Sequence, residues 1–422
     1  MTQPKEEIMA IKVIKSEIPQ PLANYSEAAQ AGHLIFAAGQ LASDWKNGVP
    51  PEARKHSNFP FYGSDIKLQT EYILKNCEKT FKAAGTSLDH VVKAQVFLMD
   101  LNDFAAFDEV WKKYFKSPPP RTTIGTTGLL VKDTLVEIDL IATLPDKPGT
   151  VITSGAPKPL ANYSEAVRTG DLVFAAGQLA SDFKTGVPAE ARRGENFPYY
   201  GSDIQLQTDY ILKNLKQTFE AAGSSLDHVV KAQVFLTNLN DFAGFDQVWK
   251  RYFKVPPPRT TVGTSGLLVK DTLVEIDLIG YVPRDGLKHE AIQSDAPRPL
   301  ANYSEAFVLG DLVFAAGQIA SDYKTGVPTE ARKHPNFPYY GSDIKLQTAY
   351  ILENLKKTFK AAGSSLENVV KAQVFMTDLR NFAAFDEVWK EYFKVPPPRT
   401  TVGTTGLLVK DTLVEIDLIA TR

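Results

Sequence analysis

Pro118-Pro-Pro-Arg-Thr-Thr123 is the stretch that decides the fold, because it recurs twice more in the chain, with its arginine at residues 259 and 399. Two further stretches recur in step with it. Leu-Ala-Asn-Tyr-Ser-Glu-Ala begins at Leu22, Leu160 and Leu300, and Leu-Val-Glu-Ile-Asp-Leu-Ile begins at Leu135, Leu273 and Leu413. The arginine positions give a period of 138 and then 140 residues. Such a unit is too long for a solenoid repeat and large enough to bury its own core.

The repeats predict three tandem domains in the 422 residues of the chain. The joints between them are short, polar and rich in turn-forming residues, at Pro145-Asp-Lys-Pro-Gly149 and at residues 283–290. We therefore expect the domains to comprise residues 1–147, 148–287 and 288–422.

The composition excludes several classes of protein. Lys and Arg number 47 against 49 Asp and Glu, and this net charge of −2 gives no reason to expect a nucleic-acid partner. The first residues are not expected to form a secretory signal, and no apolar run is long enough to span a membrane. A single cysteine, Cys77, rules out an internal disulfide framework. We expect a cytoplasmic protein with no membrane partner.

Within one unit, the apolar pattern predicts strands and helices in the order βββαβαββ. The first helix begins with Ser64 as its N-cap and ends at Gly85, and the second, from Phe104 to Phe115, ends before the proline run. The strands of the first unit are predicted near Val13, near Ser26, and over residues 34–38, 91–99, 121–126 and 134–143. Because two helices cover only one face of such a sheet, the other face needs a separate explanation.

That other face carries polar residues. On the last strand Glu137 and Asp139 point to one face of the sheet, whereas Val136, Ile138 and Leu140 point to the other. On the strand from Val91, alternation predicts that Val92, Ala94, Val96 and Leu98 share one face and that Lys93, Gln95 and Phe97 share the other. For an isolated unit, water would cover the polar face. With three copies in one chain, the three faces can instead meet around a threefold axis, with wet clefts between the units.

The unit resembles the RidA family, also called YjgF, of reactive-intermediate deaminases. In the second unit the resemblance rests on these segments: Asn162-Tyr-Ser-Glu-Ala166, Leu172-Val-Phe-Ala-Ala-Gly-Gln178, Ala221-Ala-Gly-Ser-Ser-Leu-Asp227, Val229-Val-Lys-Ala-Gln-Val-Phe235, Pro258-Arg-Thr-Thr261 and Val274-Glu-Ile-Asp-Leu-Ile279. It implies an α+β, chorismate-mutase-like subunit with a mixed sheet and two helices on one face. Since such subunits form trimers, the chain is expected to be a single-chain pseudo-trimer that is monomeric in solution.

The resemblance also implies an activity, the hydrolysis of 2-imino or 2-enamino acids to 2-oxo acids and ammonia in clefts between subunits, with no metal and no cofactor. An arginine binds the carboxylate of a small-molecule substrate, and a glutamate and a tyrosine act in catalysis. The backbone near one glycine and one threonine completes the pocket. The corresponding residues are Arg121, Arg259 and Arg399; Glu137, Glu275 and Glu415; Tyr25, Tyr163 and Tyr303; Gly39, Gly177 and Gly317; and Thr123, Thr261 and Thr401.

The chain departs from the family pattern at three places. Asn24 and Glu27 replace the usual Pro and Gln around the tyrosine, and Ala38 replaces a small hydroxylic residue before the glycine. A loop from Pro51 to Gly63 adds an arginine and aromatic residues in every unit, and we expect it near a cleft mouth. These residues are Arg54, Arg192 and Arg332, with Tyr62, Tyr200 and Tyr340.

Two other functions stay open. The chain can be a specialised relative that isomerises, condenses or cleaves a C–N bond in a carboxylate substrate, or a binding or chaperone-like module without catalysis. The arginine, glutamate and tyrosine each have a structural alternative as well, in surface ion pairs, inter-unit salt bridges and packing. No histidine recurs in all three units, which argues against a shared metal site or histidine mechanism. We expect Cys77 to be a core residue.

Overall fold

Three sheets, one per repeat, make up the fold in the computed structural model. It describes residues 9–21, 23–55, 64–158, 161–193, 201–298, 301–333 and 341–422. Tyr62, Tyr200 and Tyr340, which were singled out in the sequence, lie outside these residues. The predicted domain boundaries stay predictions.

Each repeat contributes seven strands and two α-helices to the described structure. In the first repeat they are β1 Ile11–Ile14, β2 Ala28–Ala31, β3 Leu34–Ala37, β4 Gln40–Leu41, α1 Ser64–Ala83, β5 Val91–Leu98, α2 Phe104–Tyr114, β6 Arg121–Gly125 and β7 Val136–Thr143. In the second they are β8 Thr150–Ile152, β9 Ala166–Thr169, β10 Leu172–Ala175, β11 Gln178–Leu179, α3 Gly201–Ala221, β12 Val229–Leu236, α4 Phe242–Tyr252, β13 Arg259–Gly263 and β14 Val274–Tyr281. In the third they are β15 His289–Ile292, β16 Ala306–Leu309, β17 Leu312–Ala315, β18 Gln318–Ile319, α5 Gly341–Ala361, β19 Val369–Met376, α6 Phe382–Tyr392, β20 Arg399–Gly403 and β21 Val414–Thr421.

The sheet of the first repeat has the strand order β1-β2-β3-β7-β5-β6, with β4 also paired to β7. Only the β5–β6 pair is parallel, and helix α2 is the connection between those two strands. The other two sheets repeat this order. The predicted α+β class with a mixed sheet is therefore confirmed, and β4 is an addition to the predicted order.

The helices bury one face of each sheet, as the apolar spacing predicted. Ile66, Ile73, Cys77 and Phe81 of α1 are at most 2% exposed and lie in the core of the first repeat. Cys77 belongs to this core, so the prediction of a core cysteine is confirmed, and burial raises the pKa of its thiol. The helix is followed by Gly85 in the left-handed conformation at φ +81°, where glycine avoids the Cβ clash of other residues.

One part of the predicted strand pattern is wrong. Val92 was expected on the helix-covered face of β5, together with Ala94. A register shift between Val91 and Lys93 in the β5–β7 pair interrupts the alternation. As a result Val91 packs in the core of its repeat, whereas Val92 packs in an apolar cluster shared by all three repeats.

The three uncovered faces meet around a central axis, which confirms the single-chain pseudo-trimer. Gln95 donates a hydrogen bond to Gln233, Gln233 to Gln373, and Gln373 back to Gln95, which closes a ring. A cavity of about 40 Å³ lies within this polar centre.

Buried ion pairs between repeats surround the ring. Lys93 Nζ is 2.6 Å from Asp277 and also donates to the carbonyl of Ala175. Lys231–Asp417 and Lys371–Asp139 repeat this pair at 2.6 Å. Because all of these side chains are at most 5% exposed, loss of either partner would leave an uncompensated buried charge.

Within the described ranges, no helix is long and apolar enough to cross a membrane. The same residues contain no group of three or more His, Cys, Asp or Glu side chains placed to hold a metal ion.

Candidate functional site

The predicted site residues come together in pairs of repeats. Each arginine lies at the start of a strand in one repeat, and it faces the tyrosine, glycine and glutamate of the next. The three clefts are Arg121 and Thr123 with Tyr163, Gly177 and Glu275; Arg259 and Thr261 with Tyr303, Gly317 and Glu415; and Arg399 and Thr401 with Tyr25, Gly39 and Glu137. No cleft is complete within one repeat.

Arg121 is held by groups of its own repeat. Its Nη2 donates to Asp108 Oδ1 at 2.9 Å, and the side chain is 1% exposed. The guanidinium carbon is 5.3 Å from the ring centroid of Phe107 and 5.0 Å from that of Trp111. Burial lowers the pKa of Arg121, while the nearby Asp108 raises it. An arginine so enclosed keeps its charge and is fixed in direction.

Two donor groups of this arginine remain unused. Nε and Nη1 of Arg121 are buried and have no hydrogen-bond partner among the described residues, and the same is true of Arg259. In Arg399 Nε is without such a partner and Nη1 reaches the carbonyl of Asn24 at 3.5 Å. A buried cation with free N–H groups fits an anionic ligand, since unpaired buried donors are costly.

Glu275 of β14 is the second charged group of this cleft. Burial and the nearby Asp277 raise its pKa to about 8, against the lowering effects of the Thr123 backbone N–H, Lys93 and Arg121. Its Oε2 is buried and has no partner among the described residues. Glu137 and Glu415 also have a pKa of about 8, with burial as the first cause.

Position 177 has room only for glycine, because the carboxylate of Glu275 lies against its backbone. A Cβ at Gly177 would overlap Oε1 of Glu275, and the same holds at Gly39 and Gly317 for their glutamates. Thr123 contributes its backbone N–H to the same carboxylate. Glycine and threonine thus position the glutamate, which is a more specific role than the sequence predicted.

Tyr163 closes the site from the second repeat. Its ring centroid is 5.7 Å from the guanidinium carbon of Arg121. Burial and Glu275 raise the pKa of Tyr163, so its hydroxyl stays protonated and can donate or accept a hydrogen bond. Tyr303 and Tyr25 lie 5.6 Å from their arginines in the same way.

The clefts are large enough for a small metabolite. The cavity at Arg121 has a volume of about 660 Å³, and the one at Arg259 about 510 Å³. Both are lined by the arginine, threonine, tyrosine, glycine and glutamate together with apolar side chains. Such a site can bind a carboxylate and present a proton-carrying group to the atoms next to it.

The substitutions around the tyrosine have structural explanations. Glu27 accepts hydrogen bonds from the backbone N–H of Ser16 at 2.9 Å and from the hydroxyl of Thr80. The backbone N–H of Asn24 lies 3.3 Å from the carboxylate of Asp386, the residue that also holds Arg399. Glu27 therefore fastens the segment around Tyr25 to its own repeat, and Asn24 fastens it to the third repeat.

The predicted location of the added loop is only partly tested, since residues 56–63 and their counterparts are outside the described ranges. Arg54 Nε donates to the carbonyl of Val49 within its own loop at 2.5 Å. Arg192 and Arg332 are not among the residues that line the cavities at Arg121 and Arg259.

Sequence reasoning missed two groups of the site. The first is the aspartate that fixes the arginine, 13 positions before it in every repeat; these residues are Asp108, Asp246 and Asp386. The second is an aromatic residue that differs between repeats, with Phe183 and Tyr323 lining two cavities. An aspartate that follows the apolar Phe107 and recurs at the same place in the second helix of every repeat was the available signal for the first group.

Comparisons with known proteins find relatives of all three repeats. The family model described as Endoribonuclease L-PSP matches residues 15–144, 153–282 and 293–422. A RutC family protein of Pyrococcus horikoshii is 40% identical over 131 residues, which are 31% of this chain and 95% of that protein. Reactive Intermediate Deaminase A, a chloroplastic protein of Arabidopsis thaliana, is 35% identical over 134 residues, or 32% of this chain and 66% of that protein. These relatives match one repeat each.

A solved structure resembles most of the chain in fold. The crystal structure of a chorismatase has a TM-score of 0.53 and covers 79% of this chain and 93% of its own. Its sequence identity is 14%, so the likeness concerns the fold alone.

Proposed function

Since the chain belongs to the Endoribonuclease L-PSP family, in three tandem copies, we propose that it hydrolyses 2-imino and 2-enamino acids to 2-oxo acids and ammonia, without a cofactor, at the clefts between its repeats. The observation that carries the proposal is the pairing, across each repeat boundary, of a buried arginine with unused N–H groups and a buried glutamate of pKa about 8. One relative is named Reactive Intermediate Deaminase A, which agrees with this chemistry.

Substrate binding follows from the arginine. The carboxylate of the imino acid accepts hydrogen bonds along one edge of the Arg121 guanidinium, from Nη2 together with either Nε or Nη1, the two groups that lack partners among the described residues. The guanidinium fork matches the two oxygens of a carboxylate and needs little further ordering, because Asp108 and the aromatic rings already fix it. The imine carbon, one bond away from the carboxylate, is then placed between Tyr163 and Glu275.

Proton transfer follows from the glutamate. In its ionised form Glu275 removes a proton from water as the water oxygen bonds to the imine carbon. It then gives this proton to the nitrogen, which completes a neutral tetrahedral adduct. The carboxylate next takes the proton of the adduct's hydroxyl and passes it to the nitrogen as the C–N bond breaks, so the 2-oxo acid and ammonia leave. A pKa of about 8 suits both steps near neutral pH, because a general acid–base group is most effective when its pKa is close to the working pH.

The test is a coupled assay in which an amino-acid oxidase generates 2-imino acids and their decay is followed. The informative variant is the triple substitution Glu137→Gln, Glu275→Gln, Glu415→Gln, which keeps the size of the side chain and removes the titration. The matched control is Glu52→Gln, Glu190→Gln, Glu330→Gln, which makes the same charge change at three exposed glutamates.

We expect wild type and control to accelerate decay equally, and the site variant to lose about 100-fold or more of that acceleration, as for loss of a general acid–base group. Failure of folded wild type to accelerate decay of any of several imino acids would overturn the proposal. In that case the clefts would belong to a specialised carboxylate enzyme or to a binding module.

A further inference from the structure

One aromatic position of the cleft wall is different in each of the three repeats, although the arginine, threonine, tyrosine, glycine and glutamate are the same. It is occupied by Trp45, Phe183 and Tyr323. All three are in the left-handed backbone conformation, at φ 63°, 57° and 58°. This conformation is unfavourable for a bulky side chain, and residues held in it cluster at functional sites.

The strained conformation is fixed by the local chain. The backbone N–H of Trp45 donates to Ser43 Oγ at 2.9 Å, and that of Phe183 donates to Ser181 Oγ at 2.8 Å. The backbone N–H of Tyr323 donates to Ser321 Oγ at 2.9 Å. The three side chains therefore leave the backbone in the same direction, and they differ only in the size and hydrogen-bonding capacity of the aromatic group.

These side chains meet the tyrosine of the site. The rings of Trp45 and Tyr25 pack edge to face with centroids 6.1 Å apart. In the third repeat the hydroxyl of Tyr303 donates to the hydroxyl oxygen of Tyr323 at 3.1 Å. Phe183 lines its cavity and offers no hydrogen-bonding group.

We propose that the aromatic residue at positions 45, 183 and 323 determines which substrate side chain each cleft accepts, so that the three clefts of one chain have different substrate ranges. This inference rests on the proposed function, since it assigns the substrate class of the same site. The Phe183 cleft, whose wall includes Leu179 and Val269, takes 2-imino acids with large apolar or aromatic side chains. The Tyr323 cleft takes those that also carry a hydroxyl, because the Tyr323 hydroxyl accepts from Tyr303 and keeps its own proton to donate.

The test compares two variants in which all three clefts carry the same residue at this position. The all-phenylalanine chain carries Trp45→Phe and Tyr323→Phe, and the all-tyrosine chain carries Trp45→Tyr and Phe183→Tyr. Binding of phenylpyruvate and of 4-hydroxyphenylpyruvate, 2-oxo acids that differ by one hydroxyl, is measured by calorimetry. Tyr252→Phe is the matched control, since its hydroxyl donates to Asp209 away from the cleft-lining residues.

We expect the ratio of the two dissociation constants to differ about tenfold between the two variants, in favour of the hydroxylated acid for the all-tyrosine chain. Wild type and the control should both need more than one class of site, and each uniform chain only one. Equal ratios in the two variants would overturn this inference and leave the proposed function intact. If neither acid bound to any of these proteins, the assignment of a carboxylate-binding site to the clefts would be overturned, and with it this inference.

Discussion

Replacing the three site glutamates by glutamine should make the free energy of unfolding of the chain less dependent on pH. The folded state raises the pKa of each carboxyl from 4.5 to about 8, chiefly by burial. Between these values the folded chain holds three protons that the unfolded chain releases, so the free energy of unfolding falls as pH rises from about 4.5 to about 8. Below pH 4.5 both states are protonated, and these groups add no pH dependence.

The size of the effect follows from the linkage relation. Each pKa unit corresponds to about 1.4 kcal/mol, so a full shift from 4.5 to about 8 amounts to about 5 kcal/mol per carboxyl. Between pH 5.5 and pH 7.5 the change is about 2.5 kcal/mol per carboxyl, or about 7.5 kcal/mol for the three. Gln cannot titrate and has the shape of the protonated acid, so the variant should lose this dependence.

The assay is urea unfolding of wild type and of the triple glutamine variant at pH 5.5 and pH 7.5. Every other titrating group contributes to both proteins, so the difference between their pH dependences isolates the three carboxyls. The control with Gln at positions 52, 190 and 330 should behave as wild type, because those glutamates are exposed. If the site variant loses as much stability as wild type on going to pH 7.5, the assignment of a raised pKa to these glutamates is refuted.

Three other outcomes are expected. Lys231→Met should lower the free energy of unfolding by about 3 to 5 kcal/mol in thermal or urea melts, because it leaves the Asp417 carboxylate buried without its ion-pair partner. A change below about 1 kcal/mol would contradict the assignment of a buried Lys231–Asp417 ion pair at the central axis. Gly177→Ala should abolish turnover in the cleft at Arg121 and leave the other two, since its Cβ displaces Glu275, so the rate of imine hydrolysis falls most for the substrates that this cleft accepts; an unchanged rate for all substrates would show that this glycine is dispensable. Titration with a 2-oxo acid under native mass spectrometry should show three ligands per chain, and a maximum of one would contradict three working clefts.

The sequence was sufficient for the repeats, the mixed sheet and the closure around an axis. Polar residues such as Gln95 and Asp139 on a face without helices, present three times in one chain, already favoured burial of that face between units. The ion-pair partners across the axis could not be predicted, because Lys93 pairs with Asp277, 184 residues later, and no local sequence pattern indicates such a pairing. The side of Val92 was predicted wrongly because strict alternation does not foresee the register shift between Val91 and Lys93.

The candidate site was predicted to a similar degree. Resemblance named the arginine and the glutamate, but it did not find Asp108, whose carboxylate fixes the guanidinium from the facing helix. It also did not find that Gly177 is required by a carboxylate rather than by a ligand. Both facts are close approaches between side chains or backbone of different elements, which spacing within one element cannot indicate.

Fusion of the three repeats explains how the clefts can differ while the axis stays uniform. In an assembly of identical subunits, a change at one position appears in every cleft. In a single chain, each repeat contributes its arginine to one cleft and its tyrosine and glutamate to another. A difference between equivalent positions, such as Phe183 in the second repeat and Tyr323 in the third, therefore affects one cleft only. The axis has no such freedom, because Gln95, Gln233 and Gln373 form one closed ring and a change in any of them breaks two of its hydrogen bonds. Variation is therefore tolerated at the cleft wall and opposed at the centre, which is the distribution that the three repeats have.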